Sequence, residues 1–138
     1  MNNCFIILAA GESKRFKSNT PKPYYLYRGK PLFLHSIDKA KESNKFKKII
    51  LVINNKHKKF LKNIRLKNIE IISGGKNRSE SSLKALKSIK NSKISKVFIH
   101  DAARPNFSLK LISNLFKGLK NNKCVVPTLK TSSSVKFK

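Results

Sequence analysis

The stretch Cys4-Phe5-Ile6-Ile7-Leu8-Ala9-Ala10-Gly11 decides the fold of this chain. Its first five residues are apolar and show no polar alternation, which is typical of a strand covered on both faces. Its last three residues are small and let the backbone approach a ligand closely. A buried strand that ends in such a loop predicts an open parallel sheet with a binding site at the carboxyl edge.

Four further apolar runs are predicted to be strands, and they cover residues 48–53, 69–72, 97–99 and 124–126. Between the runs, apolar residues recur at three- and four-residue steps, the spacing of amphipathic helices. These positions are Phe33, Ile37 and Ala40; Phe60, Leu61 and Ile64; Leu83, Leu86 and Ile89; and Leu109, Ile112, Leu115, Phe116 and Leu119. The order predicts a single α/β domain over residues 1–138, a doubly wound, mostly parallel sheet with helices on both faces.

The charge of the chain is strongly positive, because 32 Lys and Arg against 6 Asp and Glu give a net charge of +26. Only five of these cations are Arg, and the lysines are spread along the chain rather than clustered as on a phosphate-tracking face. The pattern favours a solvated lysine coat without specific nucleic-acid binding. A protein whose function is to bind polyanions non-specifically stays open as an alternative.

Nothing in the sequence predicts membrane insertion or export. No apolar run approaches the roughly 18–20 residues that cross a bilayer, and the N-terminal residues lack the basic region of a signal peptide. We therefore expect a cytoplasmic protein with no membrane partner. Cys4 and Cys124 lie in apolar runs, which predicts free thiols that pack as small buried hydrophobes, and no Cys and His spacing matches a zinc site.

The loops that follow the strands decide the function, because ligands of open parallel sheets bind outside the carboxyl ends of the strands. Three of these loops are rich in glycine, arginine or acidic residues, and they cover residues 9–16, 74–79 and 100–105. The first loop matches neither a P-loop nor a Gly-x-Gly-x-x-Gly dinucleotide loop, so ATPase and dehydrogenase functions are not predicted. All three loops are expected on one rim of the sheet.

The first loop is predicted to bind phosphate. Its backbone N–H groups can cradle phosphate oxygens, and Arg15 and Lys22 place two cations beside them. Pro21 and Pro23 fix the backbone on either side of Lys22. The alternative is an exposed turn with one more solvated lysine.

The second and third loops supply donors and a carboxylate. Gly74 and Gly75 form a tight loop before a helix for which Ser79 is the predicted N-cap, while Arg78 and Ser81 offer hydrogen-bond donors to a base. Asp101 can orient a Mg²⁺–phosphate complex or a substrate hydroxyl, or it can pair with Arg104 and fix the loop. His100, on the other side of the same strand, is predicted to be packed.

At these residues the chain resembles the 2-C-methyl-D-erythritol 4-phosphate cytidylyltransferases of the non-mevalonate isoprenoid pathway. The motifs that carry the resemblance are Leu8-Ala9-Ala10-Gly11 with Arg15-Phe16, Pro21-Lys22-Pro23-Tyr24, Gly29-Lys30-Pro31-Leu32, Gly74-Gly75 with Arg78 and Ser81, and Ile99-His100-Asp101-Ala102-Ala103-Arg104-Pro105. The resemblance implies a Rossmann-like fold of the nucleotide-diphospho-sugar transferase type, with the C-terminal part of the family missing. It also implies an enzyme that joins CTP to methylerythritol phosphate and releases pyrophosphate.

The resemblance also implies the roles of the site residues. Arg15 and Lys22 would be catalytic and stabilise the charge on the triphosphate, with Mg²⁺ bridging its oxygens. Asp101, a tentative metal ligand, and Arg104 would position the acceptor or the metal. The CTP-binding set would be Ala9, Ala10, Gly11, Gly75, Arg78 and Ser81.

Three alternatives stay open beside this reading. One is a cytidylyltransferase for another polyol phosphate, one is a remnant that binds CTP without turnover, and the third is the polyanion-binding protein. CTP and methylerythritol phosphate are the expected small-molecule partners, and the full-length family implies a homodimer.

Overall fold

A computed structural model describes residues 2–13 and 17–130. The chain divides into two compact units, one ending at Asn106 and the other beginning at Phe107. The single domain over residues 1–138 stays a prediction.

The first unit is built around a parallel sheet of four strands. These are β1 (Asn3–Ala9), β4 (Lys48–Ile53), β5 (Glu70–Ser73) and β6 (Lys96–Asp101), and their order in the sheet is β5-β4-β1-β6. Two short strands, β2 (Leu26–Tyr27) and β3 (Lys30–Pro31), form an antiparallel hairpin outside this sheet. The α-helices of the unit are α1 (Leu32–Glu42) and α2 (Arg78–Ser88).

The strand β1 lies at the centre of the sheet, and all seven of its residues are buried. On one face, Cys4, Ile6 and Leu8 pack with Ala85 of α2. The chain moves from β1 to β4 in one direction and from β5 to β6 in the other, so right-handed crossovers place α1 on the opposite face. The predicted doubly wound, mostly parallel α/β sheet is confirmed.

The helix α2 buries a face that matches the prediction only at Ile89, its C-cap residue, which is buried in the core. Ser81 and Ala85 are its buried residues, whereas Leu83 and Leu86 are 50% and 38% exposed. The reason is a close approach of the helix to the sheet, since a Cβ atom at Gly74 would lie 2.9 Å from the Ser81 hydroxyl. Small side chains fit that gap and leucines do not.

The prediction of an amphipathic α-helix that includes Phe60 and Ile64 is also wrong. A 3₁₀ helix spans Asn55–Leu61, capped by the Asn54 side chain, and it ends before Ile64. Asn63 has a φ of 73°, a left-handed conformation that ends a helical path.

The second unit contains α3 (Leu109–Gly118), which Ser108 caps by accepting from the Leu111 N–H. The strand predicted at residues 124–126 is wrong, because this segment is irregular and Val126 is 71% exposed. Pro127 follows it, lacks a donor for a strand ladder and restricts the preceding residue. Cys124 is a free thiol as predicted, but it is exposed rather than buried, while Cys4 is free and buried.

Candidate nucleotide-binding site

A cavity of about 910 Å³ opens at the carboxyl edge of the parallel sheet. The segments that line it follow β1, β4, β5 and β6, so the predicted convergence on one rim is confirmed. The lining residues are Leu8, Ala10, Gly11, Glu12, Ser13, Lys22, Pro23, Asn54, Gly75, Lys76, Asn77, Arg78, Ser81, Asp101, Ala103 and Arg104.

The cavity lies where the strand order changes direction. From β1 the chain goes to β4 on one side of the sheet and later returns to β6 on the other side. The loops that follow β1 and β6 therefore separate and leave a crevice, which is the usual ligand site of such sheets.

Of the nine predicted site residues that the structure describes, eight meet in this cavity and one does not. Ala10, Gly11, Lys22, Gly75, Arg78, Ser81, Asp101 and Arg104 line it. Ala9 is buried in β1, and its carbonyl oxygen accepts from the Tyr24 hydroxyl at 3.5 Å. Arg15 lies outside the described residues, so its role stays a prediction.

The loop after β1 and the Lys22 turn are joined by a hydrogen bond. The Lys22 N–H donates to the Ser13 hydroxyl oxygen at 3.1 Å. Pro21 and Pro23 are buried on either side, whereas Lys22 is exposed at the cavity in a one-turn 3₁₀ helix. Apart from the chain neighbours of Gly11, no atom of the described residues lies within 4 Å of the position where its Cβ would stand, so these residues leave the backbone there open to a ligand.

The glycine pair after β5 is tightly enclosed by protein. A Cβ atom at Gly74 would lie 2.5 Å from the Ala10 Cβ and 2.9 Å from the Ser81 Oγ, and one at Gly75 would collide with Glu80. The Gly75 N–H donates to the Ser81 hydroxyl at 3.0 Å. Packing therefore requires both glycines, and Ser81 holds the loop while it lines the cavity.

The N-cap of α2 is Asn77 rather than the predicted Ser79. The Asn77 side chain accepts from the Glu80 N–H at 2.9 Å, and the Glu80 carboxylate accepts from the Lys76 N–H at 2.8 Å. Asn77 has an extended backbone (φ −143°, ψ 179°), as an N-cap needs, whereas Ser79 already lies within the helix.

Asp101 lies between two arginines. Its Oδ1 is 3.0 Å from the Arg78 Nε, and its Oδ2 is 3.6 Å from the Arg104 Nε. Both guanidinium groups are largely exposed, so each remains available to an anionic ligand. The predicted pairing of Asp101 with Arg104 is present, and the pairing with Arg78 adds a link between the loops after β5 and β6.

His100 lies beside Asp101 along β6 and packs its ring against Phe5, with the ring centroids 5.8 Å apart. Burial lowers the pKa of His100. Both observations agree with the predicted packed histidine.

Sequence reasoning missed Glu12, Asn54 and Asn77, which also line the cavity. Asn54 follows β4 directly, and the rule that placed the other loops on the rim would have found it there. Glu12 stands next to Gly11 and is a second carboxylate at the site. Asn77 and Ser79 are both favoured N-cap residues two positions apart, so the sequence does not distinguish which of them caps the helix.

An open parallel sheet with a cationic, glycine-lined crevice where its order reverses is characteristic of nucleotide-binding α/β proteins. The model of the family "2-C-methyl-D-erythritol 4-phosphate cytidylyltransferase" matches residues 3–137. The chain belongs to this family.

Known relatives agree with this assignment. The chain is 64% identical over 138 residues to a bifunctional enzyme IspD/IspF of Pelagibacter ubique, covering 100% of this chain and 37% of the relative. It is 35% identical to a 2-C-methyl-D-erythritol 4-phosphate cytidylyltransferase of Thermosipho melanesiensis, covering 98% of this chain and 62% of the relative. The chain thus spans between about a third and three fifths of these relatives' lengths.

Solved structures show the same fold. The bifunctional IspDF from Campylobacter jejuni superposes with a TM-score of 0.83 at 31% identity, covering 99% of this chain and 36% of that one. A 4-diphosphocytidyl-2C-methyl-D-erythritol synthase from Anaerococcus prevotii superposes with a TM-score of 0.80 at 26% identity, covering 99% and 59%.

Proposed function

We propose that this chain binds CTP and joins it to 2-C-methyl-D-erythritol 4-phosphate, giving 4-diphosphocytidyl-2-C-methyl-D-erythritol and pyrophosphate. The observation that carries the proposal is the meeting of Lys22, Arg78, Arg104 and the open Gly11 backbone in one cavity. In this reaction the acceptor's phosphate oxygen attacks the α-phosphate of CTP and pyrophosphate leaves. Such chemistry needs charge neutralisation and alignment more than covalent help.

The residues divide by the loop that carries them. The N–H groups near Gly11 and the ammonium group of Lys22 would hold the triphosphate, with Arg15 as a further proposed cation. Gly75, Arg78 and Ser81 would hold the cytosine and its ribose, and the rigid loop would leave no room for a purine. Asp101 and Arg104 would position the acceptor.

Mg²⁺ is part of this proposal as the ion that accompanies the triphosphate. Glu12 and Asp101 line the cavity, but the described residues contain no group of three or more His, Cys, Asp or Glu that could hold a metal. This donor set fits an ion that takes most of its ligands from phosphate oxygens and water, as Mg²⁺ does. Asp101 would supply one carboxylate, and the bound ion would neutralise charge on the phosphates.

Location and assembly belong to the proposal as well. Among the described residues, no helix has both the length and the apolar character needed to span a bilayer. We extend the proposal to a cytoplasmic location and, as the resemblance implies for the full-length family, to a homodimer. Sedimentation of the purified chain tests the assembly.

Calorimetric titration tests the binding. With Mg²⁺ present, the Kd for CTP should be at least about tenfold lower than the Kd for ATP or GTP. Equal affinity for purine triphosphates would contradict the pyrimidine pocket.

A pyrophosphate-release assay tests the reaction. Release is expected with CTP, Mg²⁺ and methylerythritol phosphate together, and not when the acceptor is replaced by another polyol phosphate. CTP binding without release under any of these conditions would leave a nucleotide-binding protein and remove the transferase activity from the proposal.

A further inference from the structure

The turn that carries Lys22 rests on a cluster of aromatic rings. Tyr24, two residues further along, is only 4% exposed. Its ring centroid lies 5.2 Å from that of Phe60, 5.5 Å from that of His57 and 5.7 Å from that of Phe33. Tyr24 therefore connects the Lys22 turn to α1 and to the 3₁₀ helix after β4.

This anchoring matters because the Lys22 turn has little structure of its own. It is a single 3₁₀ turn, closed by hydrogen bonds from the Tyr24 N–H to the Pro21 carbonyl at 2.9 Å and from the Tyr25 N–H to the Lys22 carbonyl at 3.2 Å. One helical turn is not stable alone in water, so tertiary contacts must hold it.

His57 links this cluster to the rim of the cavity. The His57 ring meets Tyr24 edge-on, with an interplanar angle of 75°. The backbone N–H of His57 donates to the backbone carbonyl of Asn54, a residue that lines the cavity. The Nδ1 atom of His57 is buried and has no hydrogen-bond partner among the residues that the structure describes.

The charges around His57 come from two segments. Burial is the main effect and lowers the pKa of His57; Glu12, from the loop after β1, raises it, and Lys59 and Lys56 of its own helix lower it. The ring is therefore held mainly neutral, which suits packing against an aromatic neighbour.

We propose that His57 is a positioning residue for Lys22: by packing against Tyr24 it holds the Pro21-Lys22-Pro23 turn so that the ammonium group reaches a bound nucleotide's phosphates. The inference rests on the proposed function for its purpose, but not for its first test. The helix after β4 thereby contributes to the site through the shape of the turn rather than through contact with a ligand.

Amide hydrogen exchange of the ligand-free chain tests the anchoring. His57→Ala should speed exchange at the Tyr24 and Tyr25 amides by about fivefold or more, because local opening of the turn becomes easier. His57→Phe keeps a ring in place and should restore slow exchange. The control is Phe46→Ala, which removes a ring that packs 4.9 Å from Phe5 and 5.1 Å from Phe98, away from Tyr24. Unchanged exchange in His57→Ala overturns the inference whether or not CTP binds.

A double-mutant cycle on CTP binding connects the anchoring to Lys22. His57→Ala should raise the Kd for CTP by about fivefold in the unaltered chain and by less than about twofold in the Lys22→Ala background. The same factor in both backgrounds would show that His57 does not act through Lys22. If the unaltered chain binds no CTP, the proposed function fails and the exchange experiment still decides the inference.

Discussion

Lys22 is one of many exposed lysines, but local contacts fix the backbone that carries it. Buried prolines flank it, and its N–H donates to Ser13. Lys22→Ala should weaken CTP binding by about 1.5–3 kcal/mol, the range for a hydrogen bond to a charged group, as measured by calorimetry. Lys58→Ala, in an exposed part of the 3₁₀ helix, should change nothing measurable. Equal small losses in both variants would mean that general electrostatics explains the binding.

The two cysteines differ in reactivity by their surroundings. Burial raises the pKa of the Cys4 thiol to about 11, whereas Cys124 is exposed. Since the thiolate is the reactive form, iodoacetamide at neutral pH should modify Cys124 in the folded chain and Cys4 only after unfolding in urea. Mass spectrometry counts the added groups. Two groups added to the folded chain would show that β1 is not protected as described.

The raised pKa of Cys4 also makes the free energy of unfolding depend on pH, because ionisation of the thiol favours the unfolded chain. Its contribution is fully present below the ordinary thiol pKa of 9.0 and is lost as the pH rises through about 11.

At the scale of elements, the N-terminus of α2 joins stability to the site, because Asn77 both caps the helix and lines the cavity. Asn77→Ala should lower the free energy of unfolding by about 1 kcal/mol, the usual value of a lost N-cap. Urea denaturation measures it. Ser79→Ala is the matched control and should change the free energy by less than about 0.5 kcal/mol. The reverse order of the two losses would restore Ser79 as the cap.

The elements also show what the sequence could predict. Apolar runs rich in β-branched residues were sufficient to predict β1, β4, β5 and β6. The central strands β1 and β4 are almost entirely buried, whereas the edge strands β5 and β6 leave Ile71 and Ile99 43% and 39% exposed. The same rule failed at residues 124–126, where Pro127 follows. Helical spacing correctly predicts α2 and the burial of Ile89, but it also predicts that Leu83 and Leu86 are buried. Spacing cannot reveal that Gly74 lets the helix approach the sheet closely.

At the scale of the whole molecule, the sequence predicted the convergence of three loops, because the carboxyl ends of parallel strands share one edge. It did not predict the contacts that connect those loops. The pairing of Arg78 with Asp101 joins residues 23 positions apart in sequence, and the packing of His57 on Tyr24 joins the 3₁₀ helix after β4 to the Lys22 turn. Such contacts depend on the exact path of each loop, which residue patterns do not specify.

The net charge of +26 also acts on the whole molecule. Any affinity for nucleic acid should come from counterion release and should fall steeply between about 50 and 200 mM salt. Fluorescence anisotropy with two duplexes of unrelated sequence measures it, and both should bind equally. A sequence preference that survives at the higher salt would contradict the solvated lysine coat and would indicate specific nucleic-acid recognition.

The enclosed glycine pair has a consequence for how natural variants of this chain can be interpreted. Every missense base change in codons 74 and 75 adds a β-carbon where Ala10, Ser81 and Glu80 already fill the space. Selection on folding alone would therefore preserve both codons, even in a lineage that had lost turnover. Codon 11 is different, because the described residues beyond its chain neighbours place no atom within 4 Å of that position, so a side chain there would collide with a bound ligand rather than with them. Variation at codon 11, rather than at 74 and 75, would separate working genes from decaying ones.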